Sequence, residues 1–246
     1  FQKSWQRTGT DRYVLTDLNV TLTQCAKQLI GEDPRRTQHL WQMMYRGWFY
    51  PAGREKLHAL GGLDLALWDI KGKQAGMPVY QLLGGKCREA AAVYAHANGR
   101  DPQEVEANVR AYLEQGYRYV RIQMGGYGGR ASKLVKPEGA LDGAYYDARE
   151  YTRNMLRMME HVRGEVGDEV ELLHDVHERL RPIEAVQFAK DVERFKLFFL
   201  EDLLAPEDLE WFARVREQCA TPLAMGELFN HPREWQPLIA DKAIDF

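Results

Sequence analysis

Three short apolar stretches that each run into an acidic residue constrain the fold of this chain more than any other feature. They are residues 172–177, 198–202 and 223–227. Their acidic residues are Asp175, Glu201 and Glu227, and the intervals from 175 to 201 and from 201 to 227 are both 26 residues. An equal interval of this length indicates a repeated strand–helix unit. Each strand would then deliver one carboxylate to a common point, which we expect to be the active site.

The pattern of alternating strands and helices extends over residues 89–246. Six segments have the pattern of short strands: 90–95, 117–123, 170–175, 197–201, 222–226 and 243–246. Helical spacing between them predicts βαβ units and a parallel sheet, hence an α/β fold. Polar side chains at the carboxyl ends of the strands favour an incomplete (β/α)8 barrel of the TIM type, whose chemistry lies at that face. A doubly wound open sheet is the alternative, but residues 97–100 do not form its glycine-rich phosphate turn.

Residues 1–88 differ from the rest because they are mostly helical. Apolar residues at helical spacing predict helices at 19–30, 37–45, 56–75 and 79–83. We therefore expect two domains, at 1–88 and 89–246. Residues 243–246 have the pattern of a strand that stops soon after it starts, and the chain opens on Phe1 rather than Met. We expect a longer native protein, with segments at both ends.

The composition excludes several classes of protein. With 45% hydrophobic and 28% charged residues, a net charge of −3 and an isoelectric point near 6.2, the chain is typical of a soluble globular protein. The charge gives no reason to expect nucleic acid or a membrane surface as a partner. No apolar run approaches the roughly 20 residues of a membrane span. The three cysteines, Cys25, Cys87 and Cys219, are far apart and odd in number, which favours a reducing cytoplasm.

The three carboxylates indicate a metal site. Mg²⁺ prefers oxygen ligands and leaves coordination positions to water or substrate oxygens, so Asp175, Glu201 and Glu227 are the predicted ligands. A lone carboxylate after a strand is more often a helix cap or an ion-pair partner, but the equal spacing argues for the metal. His177 lies two residues past Asp175, and period-two alternation directs it to the same side. A histidine beside a cation can serve as general base or acid. His174 points the other way and is predicted to be structural.

Arg121 and His96 are further candidates for binding or catalysis. Arg121 shares one face of the second barrel strand with Gln123. Arg121 would neutralise a substrate carboxylate or lower the pKa of an acid–base group. The alternative interpretation is that Arg121 is an exposed arginine at a strand end. His96, predicted to follow the first strand, is a candidate for substrate contact, with a hydrogen-bonded structural role as the alternative.

A glycine-rich loop follows the second barrel strand at residues 124–130. It lacks the Lys and Ser/Thr of a phosphate-binding P-loop, so we interpret it as a mobile active-site loop. Tyr127, at its centre, is a weak candidate for acid–base chemistry.

Taken together, these residues resemble the mandelate-racemase-like group of the enolase superfamily, over nearly the whole chain. Asp175, Glu201 and Glu227 match the three Mg²⁺ ligands of that superfamily, on barrel strands three, four and five. Five segments resemble its D-mannonate dehydratase branch in particular. They are residues 67–73, 76–85, 93–99, 175–177 and 226–230. The resemblance implies that residues 1–88 are part of an N-terminal α+β capping domain.

The resemblance also implies a reaction. An acid sugar, an aldonate such as D-mannonate or D-gluconate, would bind Mg²⁺ and lose the proton next to its carboxylate. The enediolate that results would expel the β-hydroxyl and give a 2-keto-3-deoxy acid, so the enzyme would be a hydro-lyase. His177 and Arg121 would be catalytic, with His96 and Glu227 in contact with the substrate. The branch pairs the strand-two arginine with a tyrosine about twelve residues later, but Lys133 stands there. Either Tyr127, Tyr145 or Tyr146 replaces it, or the Arg–Tyr pair is broken in this chain.

Other functions stay open. Racemases and cycloisomerases carry Lys-x-Lys on strand two, against Arg121-Ile122-Gln123 here. A galactonate-type dehydratase shares the Asp-x-His pattern and is a rival. A homologue with weak or no catalysis and a regulatory or binding role is the second alternative. The resemblance implies a homo-oligomer whose ligand is a small sugar acid.

Overall fold

The computed structural model describes residues 11–47, 49, 53–125, 139 and 146–246, and of residues 11–19 it describes the backbone alone. The chain divides into two compact units, Phe1–Ala91 and Ala92–Phe246. In the described part of the chain, no helix has both the length and the apolar character needed to cross a membrane.

The first unit is built from helices. They are α1 (Asp11–Leu29), α2 (Thr37–Arg46), α3 (Arg54–Ala75) and α4 (Val79–Leu82). Cys25, Met44 and Leu60 are its buried core, because helical spacing puts them on facing sides of α1, α2 and α3. Gly76 ends α3 in the left-handed conformation, with φ of 66°, which glycine adopts without steric cost. The described residues of this unit contain no strand, so they represent only the helical part of the expected α+β domain.

The second unit alternates strands and helices. Its strands are β1 (Tyr94–Gly99), β2 (Tyr119–Met124), β3 (Glu171–Asp175), β4 (Phe199–Glu201) and β5 (Leu223–Ala224). Its helices are α5 (Pro102–Glu114), α6 (Ala148–Val166), α7 (Pro182–Asp191), α8 (Leu209–Gln218) and α9 (Pro232–Ala240). The sheet has the order β1-β2-β3-β4-β5, and all neighbouring strands are parallel. Consecutive strands are therefore adjacent, as in a (β/α)8 barrel and not in a doubly wound sheet.

Two predicted strands differ from the structure. The strand predicted at 90–95 begins at Tyr94, because the alanines before it are exposed and irregular rather than buried. His96 therefore lies inside β1 and not after it. The segment 243–246 is not a strand, although Asp245 and Phe246 both donate backbone hydrogen bonds to the carbonyl of Leu223. The described residues thus form five strands instead of six.

The two faces of the sheet have different neighbours. Val120, Leu172, Leu200 and Leu223 face the helices and belong to the main core. On the opposite face, the side chains of Leu173, Phe199 and Ala224 form a small apolar cluster. Because side chains alternate along a strand, Asp175 and Glu201 lie on the face of this small cluster, two residues further along β3 and β4.

A buried arginine on α6 forms hydrogen bonds with several backbone segments of this unit. Arg163, on α6, donates hydrogen bonds to the backbone carbonyls of Gly167, Val170, Phe195 and Lys196, at 2.8 to 3.2 Å. It thereby ties the end of α6 to the segments that enter β3 and β4.

We expect Arg163→Met to lower the free energy of unfolding by about 3 kcal/mol, since it leaves buried carbonyl groups without donors. Urea denaturation followed by circular dichroism measures the change. Arg153→Met, an exposed position on the same helix, is the matched control. Equal stability of the two variants would contradict the structural role of Arg163.

Candidate active site at the carboxyl ends of the strands

Asp175 and Glu201 are neighbours because β3 and β4 pair in register. The two residues are partners in the parallel ladder and end their strands. Asp175 is 2% exposed, and its Oδ1 has no hydrogen-bond partner within the described part of the chain. Oε2 of Glu201 is also buried and has no hydrogen-bond partner among the described residues. Buried oxygens of this kind are costly unless a cation or donor satisfies them.

Arg121 fixes the orientation of Asp175. Its Nη1 donates to Oδ2 of Asp175 at 2.8 Å, and both side chains are almost completely buried. Nε2 of Gln123 donates to the backbone carbonyl of Asp175 at 3.1 Å. Burial raises the pKa of Asp175, and the Arg121 guanidinium opposes that rise. Arg121 is therefore placed to hold a carboxylate ionised and in one rotamer.

His177 reaches the site from a strained turn. Its Nδ1 lies 3.9 Å from Oδ1 of Asp175 and 3.6 Å from Oε1 of Glu227. The predicted proximity to Asp175 is present, but alternation along a strand is not its cause. β3 ends at Asp175, and His177 and Glu178 follow with φ of 54° and 59°. This left-handed turn, which is unfavourable for such residues, directs the imidazole to the strand ends.

Asp202 is a site residue that the sequence pattern did not indicate. It is 0% exposed, follows β4 with φ of 45°, and has an Oδ2 3.9 Å from Nδ1 of His177. Burial and then the charges of Asp175 and Glu201 raise the pKa of Asp202 to about 8. Alternation would point Asp202 away from Glu201, and the positive φ reverses this. The adjacent acidic pair in the sequence was the one available signal.

One group of three ligand-type side chains is close enough to share an ion among the described residues. Asp175, His177 and Asp202 each offer an atom within 4.8 Å of the other two. Glu201 and Glu227 are not members of this group. Glu227 lies in a turn beyond β5, and its side chain is 60% exposed. The ligand set Asp175, Glu201 and Glu227 therefore stays a prediction, with Asp175 and Glu201 adjacent and Glu227 beside His177.

The Tyr94 hydroxyl on β1 lies near the Glu201 carboxylate. Burial and then the charge of Asp175 raise the pKa of Glu201 to about 7, and the Tyr94 hydroxyl opposes that rise. Burial and then the charge of Glu201 raise the pKa of Tyr94 to about 12. Tyr94 therefore stays protonated beside Glu201.

His96 lies on the same side of the sheet as Arg121, its ladder partner. Its ring stacks on Tyr94 with centroids 5.3 Å apart, and the residue is exposed. Partial burial and then the charge of Arg121 lower the pKa of His96. The imidazole is therefore neutral near pH 7 and can hydrogen-bond an uncharged hydroxyl group.

The predicted acid–base tyrosine, Tyr127, lies outside the described residues together with residues 126–130 of its loop, Lys133 and Tyr145. Tyr146 is described and exposed, just before α6. The identity of a tyrosine partner for Arg121 stays a prediction.

His174 points to the helices, as expected. Its Nδ1 donates to the carbonyl of Ile122 at 2.9 Å, which leaves Nε2 to accept from the Tyr151 hydroxyl at 3.0 Å. Burial lowers the pKa of His174 to about 4. It is a neutral, satisfied core residue.

The donor set fits a hard divalent cation. Asp175 and Glu201, two of the predicted ligands, present buried carboxylate oxygens without hydrogen-bond partners in the described part of the chain. Burial raises the pKa of both residues, and the charges of neighbouring carboxylates add to the rise. A cation with oxygen ligands removes the repulsion between these charges.

Comparison with known proteins identifies the family. Residues 104–246 match the family described as "Enolase C-terminal domain-like". Residues 8–84 match "Mandelate racemase / muconate lactonizing enzyme, N-terminal domain".

Curated relatives carry the name of one dehydratase family. D-galactonate dehydratase family member RspA of Pantoea ananatis is 47% identical over 235 residues, which cover 89% of this chain and 56% of the relative. A member from Paenibacillus sp. (strain JDR-2) is 46% identical over 226 residues, 90% of this chain and 56% of the relative. The chain thus spans little more than half the length of these relatives. Their names belong to the galactonate group, so assignment to the mannonate branch stays a prediction.

Solved structures have the same fold. An enolase from Pantoea ananatis with bound D-gluconate and Mg matches with a TM-score of 0.83 and 43% identity, over 92% of this chain and 60% of that one. A putative dehydratase from Zymomonas mobilis ZM4 matches with a TM-score of 0.76 and 27% identity, over 94% and 60%. These matches agree with the TIM-barrel order of the sheet. The chain belongs to the enolase superfamily, in its mandelate racemase/muconate lactonizing enzyme group.

Proposed function

We propose that the protein is a Mg²⁺-dependent hydro-lyase that converts an acid sugar into a 2-keto-3-deoxy acid. The observation that carries the proposal is the cluster of buried, unsatisfied carboxylate oxygens beside a reachable histidine, His177. The names of the relatives, which are D-galactonate dehydratase family members, support the reaction class. The enolase from Pantoea ananatis with D-gluconate and Mg supports both the ligand and the cofactor.

Asp175, Glu201 and Glu227 are the residues proposed to hold Mg²⁺. When bound there, the ion would stabilise the negative charge that develops on the substrate carboxylate as the neighbouring proton leaves. Arg121 donates to Asp175 and opposes the rise in the pKa of that residue. The Tyr94 hydroxyl opposes the rise in the pKa of Glu201. The side chain of Glu227 is 60% exposed, and we propose that it turns towards the other two when the ion binds.

His177 is the proposed acid–base residue. A proton beside a carboxylate needs a base within hydrogen-bond reach, and departure of the β-hydroxyl needs an acid. The side chain of His177 is partly exposed, at 27%, so a ligand can reach it between Asp175 and Glu227. His96 is proposed to bind a substrate hydroxyl. Arg121 is proposed to act in catalysis through Asp175, and Tyr127 is proposed as its partner in proton transfer.

A screen of aldonic acids tests the proposal. Five- and six-carbon acids, including D-gluconate, D-mannonate and D-galactonate, are incubated with the protein and Mg²⁺, and 2-keto-3-deoxy products are detected by mass spectrometry. We expect a product from at least one of them, and name D-gluconate as the first to try because of the bound D-gluconate in the relative. Mg²⁺ binding with no product from any acid would refute the enzyme and favour a binding role.

Two further proposals concern the oligomeric state and the cellular location of the protein. The resemblance leads us to propose a homo-oligomer, which light scattering after size-exclusion chromatography measures. Cys25, Cys87 and Cys219 are free thiols, which is compatible with the proposed cytoplasmic location.

A further inference from the structure

Asp202 has no part in the proposed reaction so far, although it is the most deeply buried acidic residue of the site. Both of its carboxylate oxygens are buried and have no hydrogen-bond partner among the residues that the structure describes. A carboxylate in that state destabilises the fold unless it has a function or a partner that arrives later.

The backbone holds Asp202 against the turn that carries His177. The amide of Asp202 donates to the carbonyl of Ala224 at 3.0 Å, and the amide of Glu178 donates to the carbonyl of Asp202 at 2.9 Å. Glu178 directly follows His177, so these bonds fix both sides of the His177–Asp202 pair. Positive φ at His177, Glu178 and Asp202 shows that the fold maintains this arrangement against local strain.

Among the described residues, three carboxylates lie within 4 Å of Nδ1 of His177. They belong to Asp175 at 3.9 Å, Asp202 at 3.9 Å and Glu227 at 3.6 Å. Asp175 and Glu227 are in the proposed Mg²⁺ set, and their charge would be drawn to the ion. Of the three, Asp202 is the carboxylate outside that set, and its Oδ2 lies 3.9 Å from Nδ1.

We propose that Asp202 is a positioning residue: it accepts a hydrogen bond from Nδ1–H of His177 and leaves Nε2 to exchange the proton with the substrate. The inference rests on the proposed function of His177. The present separation is about 1 Å longer than a hydrogen bond, and catalytic contacts of this kind commonly tighten when ligands bind. A carboxylate behind a histidine fixes its tautomer and its ring orientation.

Asp202→Asn is the decisive variant, because asparagine tolerates positive φ and keeps the shape of the side chain while replacing the carboxyl group with an amide. We expect kcat to fall by about 10- to 100-fold, with KM and the dissociation constant for Mg²⁺ changed by less than about twofold. Asp202→Gly, which also tolerates the conformation, should lower kcat similarly. Asp241→Asn, an exposed aspartate beyond α9, is the matched control and should behave as the wild type.

A spectroscopic readout makes the test independent of turnover. In protein labelled with ¹⁵N-histidine and loaded with Mg²⁺, the His177 signals, identified by their loss in His177→Asn, should be those of the Nδ1–H tautomer. Asp202→Asn should shift the population towards Nε2–H.

Each adverse result has a distinct meaning. Unchanged kcat and an unchanged tautomer in both Asp202 variants would overturn the inference. A loss of Mg²⁺ affinity of tenfold or more would also overturn it, since Asp202 would then be a metal ligand. Failure of the wild type to convert any aldonate would refute the proposed function, while the tautomer of His177 would still decide whether Asp202 binds it.

Discussion

Replacing Asp175 by asparagine is expected to abolish product formation and to weaken Mg²⁺ binding by more than about 100-fold. Asp175 offers a buried oxygen without a partner in the described structure, and it is the ladder neighbour of Glu201. Neutralising it removes a charged ligand and also the ion pair that Asp175 forms with the buried Arg121 guanidinium. Isothermal titration with Mg²⁺ measures the affinity, and detection of the 2-keto-3-deoxy acid measures activity.

Because Asp175→Asn also breaks the ion pair between Asp175 and Arg121, a second variant is needed to test the metal site alone. Glu201→Gln leaves the Arg121–Asp175 pair in place, and we expect it to weaken Mg²⁺ binding as well. Glu210→Gln, exposed on α8, is its matched control. Wild-type affinity for Mg²⁺ in both Asp175→Asn and Glu201→Gln, in proteins that remain folded by circular dichroism, would contradict the proposed metal site.

His177→Asn is expected to lower kcat by about 1,000-fold while the dissociation constant for Mg²⁺ changes by less than about threefold. The imidazole is the proton-transfer group in the proposed reaction and is not a member of the proposed ligand set. Asparagine suits the positive φ of this position, so the turn after β3 should persist. Initial rates with saturating Mg²⁺ give kcat, and titration calorimetry gives the affinity.

His39→Asn is the control for this variant, because His39 is exposed on α2. Retention of wild-type turnover in His177→Asn would remove His177 from the mechanism. A loss of Mg²⁺ binding together with turnover would instead make His177 a ligand, in agreement with its membership in the group of Asp175, His177 and Asp202.

Simple rules of strand geometry predicted much of the site. Strand–helix alternation predicted the parallel sheet, and the equal interval of 26 residues predicted that Asp175 and Glu201 end neighbouring strands. These rules work where the chain is regular. They failed at β1, where an alanine-rich stretch has the composition of a buried strand but is exposed, so that the start was misplaced by four residues.

The residues that were missed or misexplained lie beyond the regular strands. His177, Glu178 and Asp202 have positive φ, and alternation gives no information about side-chain direction there. The burial of Asp202 depends on contacts with two neighbouring strand ends, through the backbone of Glu178 and Ala224. Such contacts between distant parts of the chain have no local sequence signal. Strain at strand ends is itself a mark of function, and the structure was needed to reveal it.

The central claim is that this barrel mouth binds Mg²⁺ and uses it to dehydrate an acid sugar. The most direct test is to strip divalent ions from the protein with EDTA, add D-gluconate, and follow 2-keto-3-deoxy acid by mass spectrometry before and after Mg²⁺ is restored. The account predicts no product without Mg²⁺ and recovery of product when it is returned. Should D-gluconate not be converted, the acid accepted in the screen takes its place. Product formation at the same rate in the chelated protein would contradict the account.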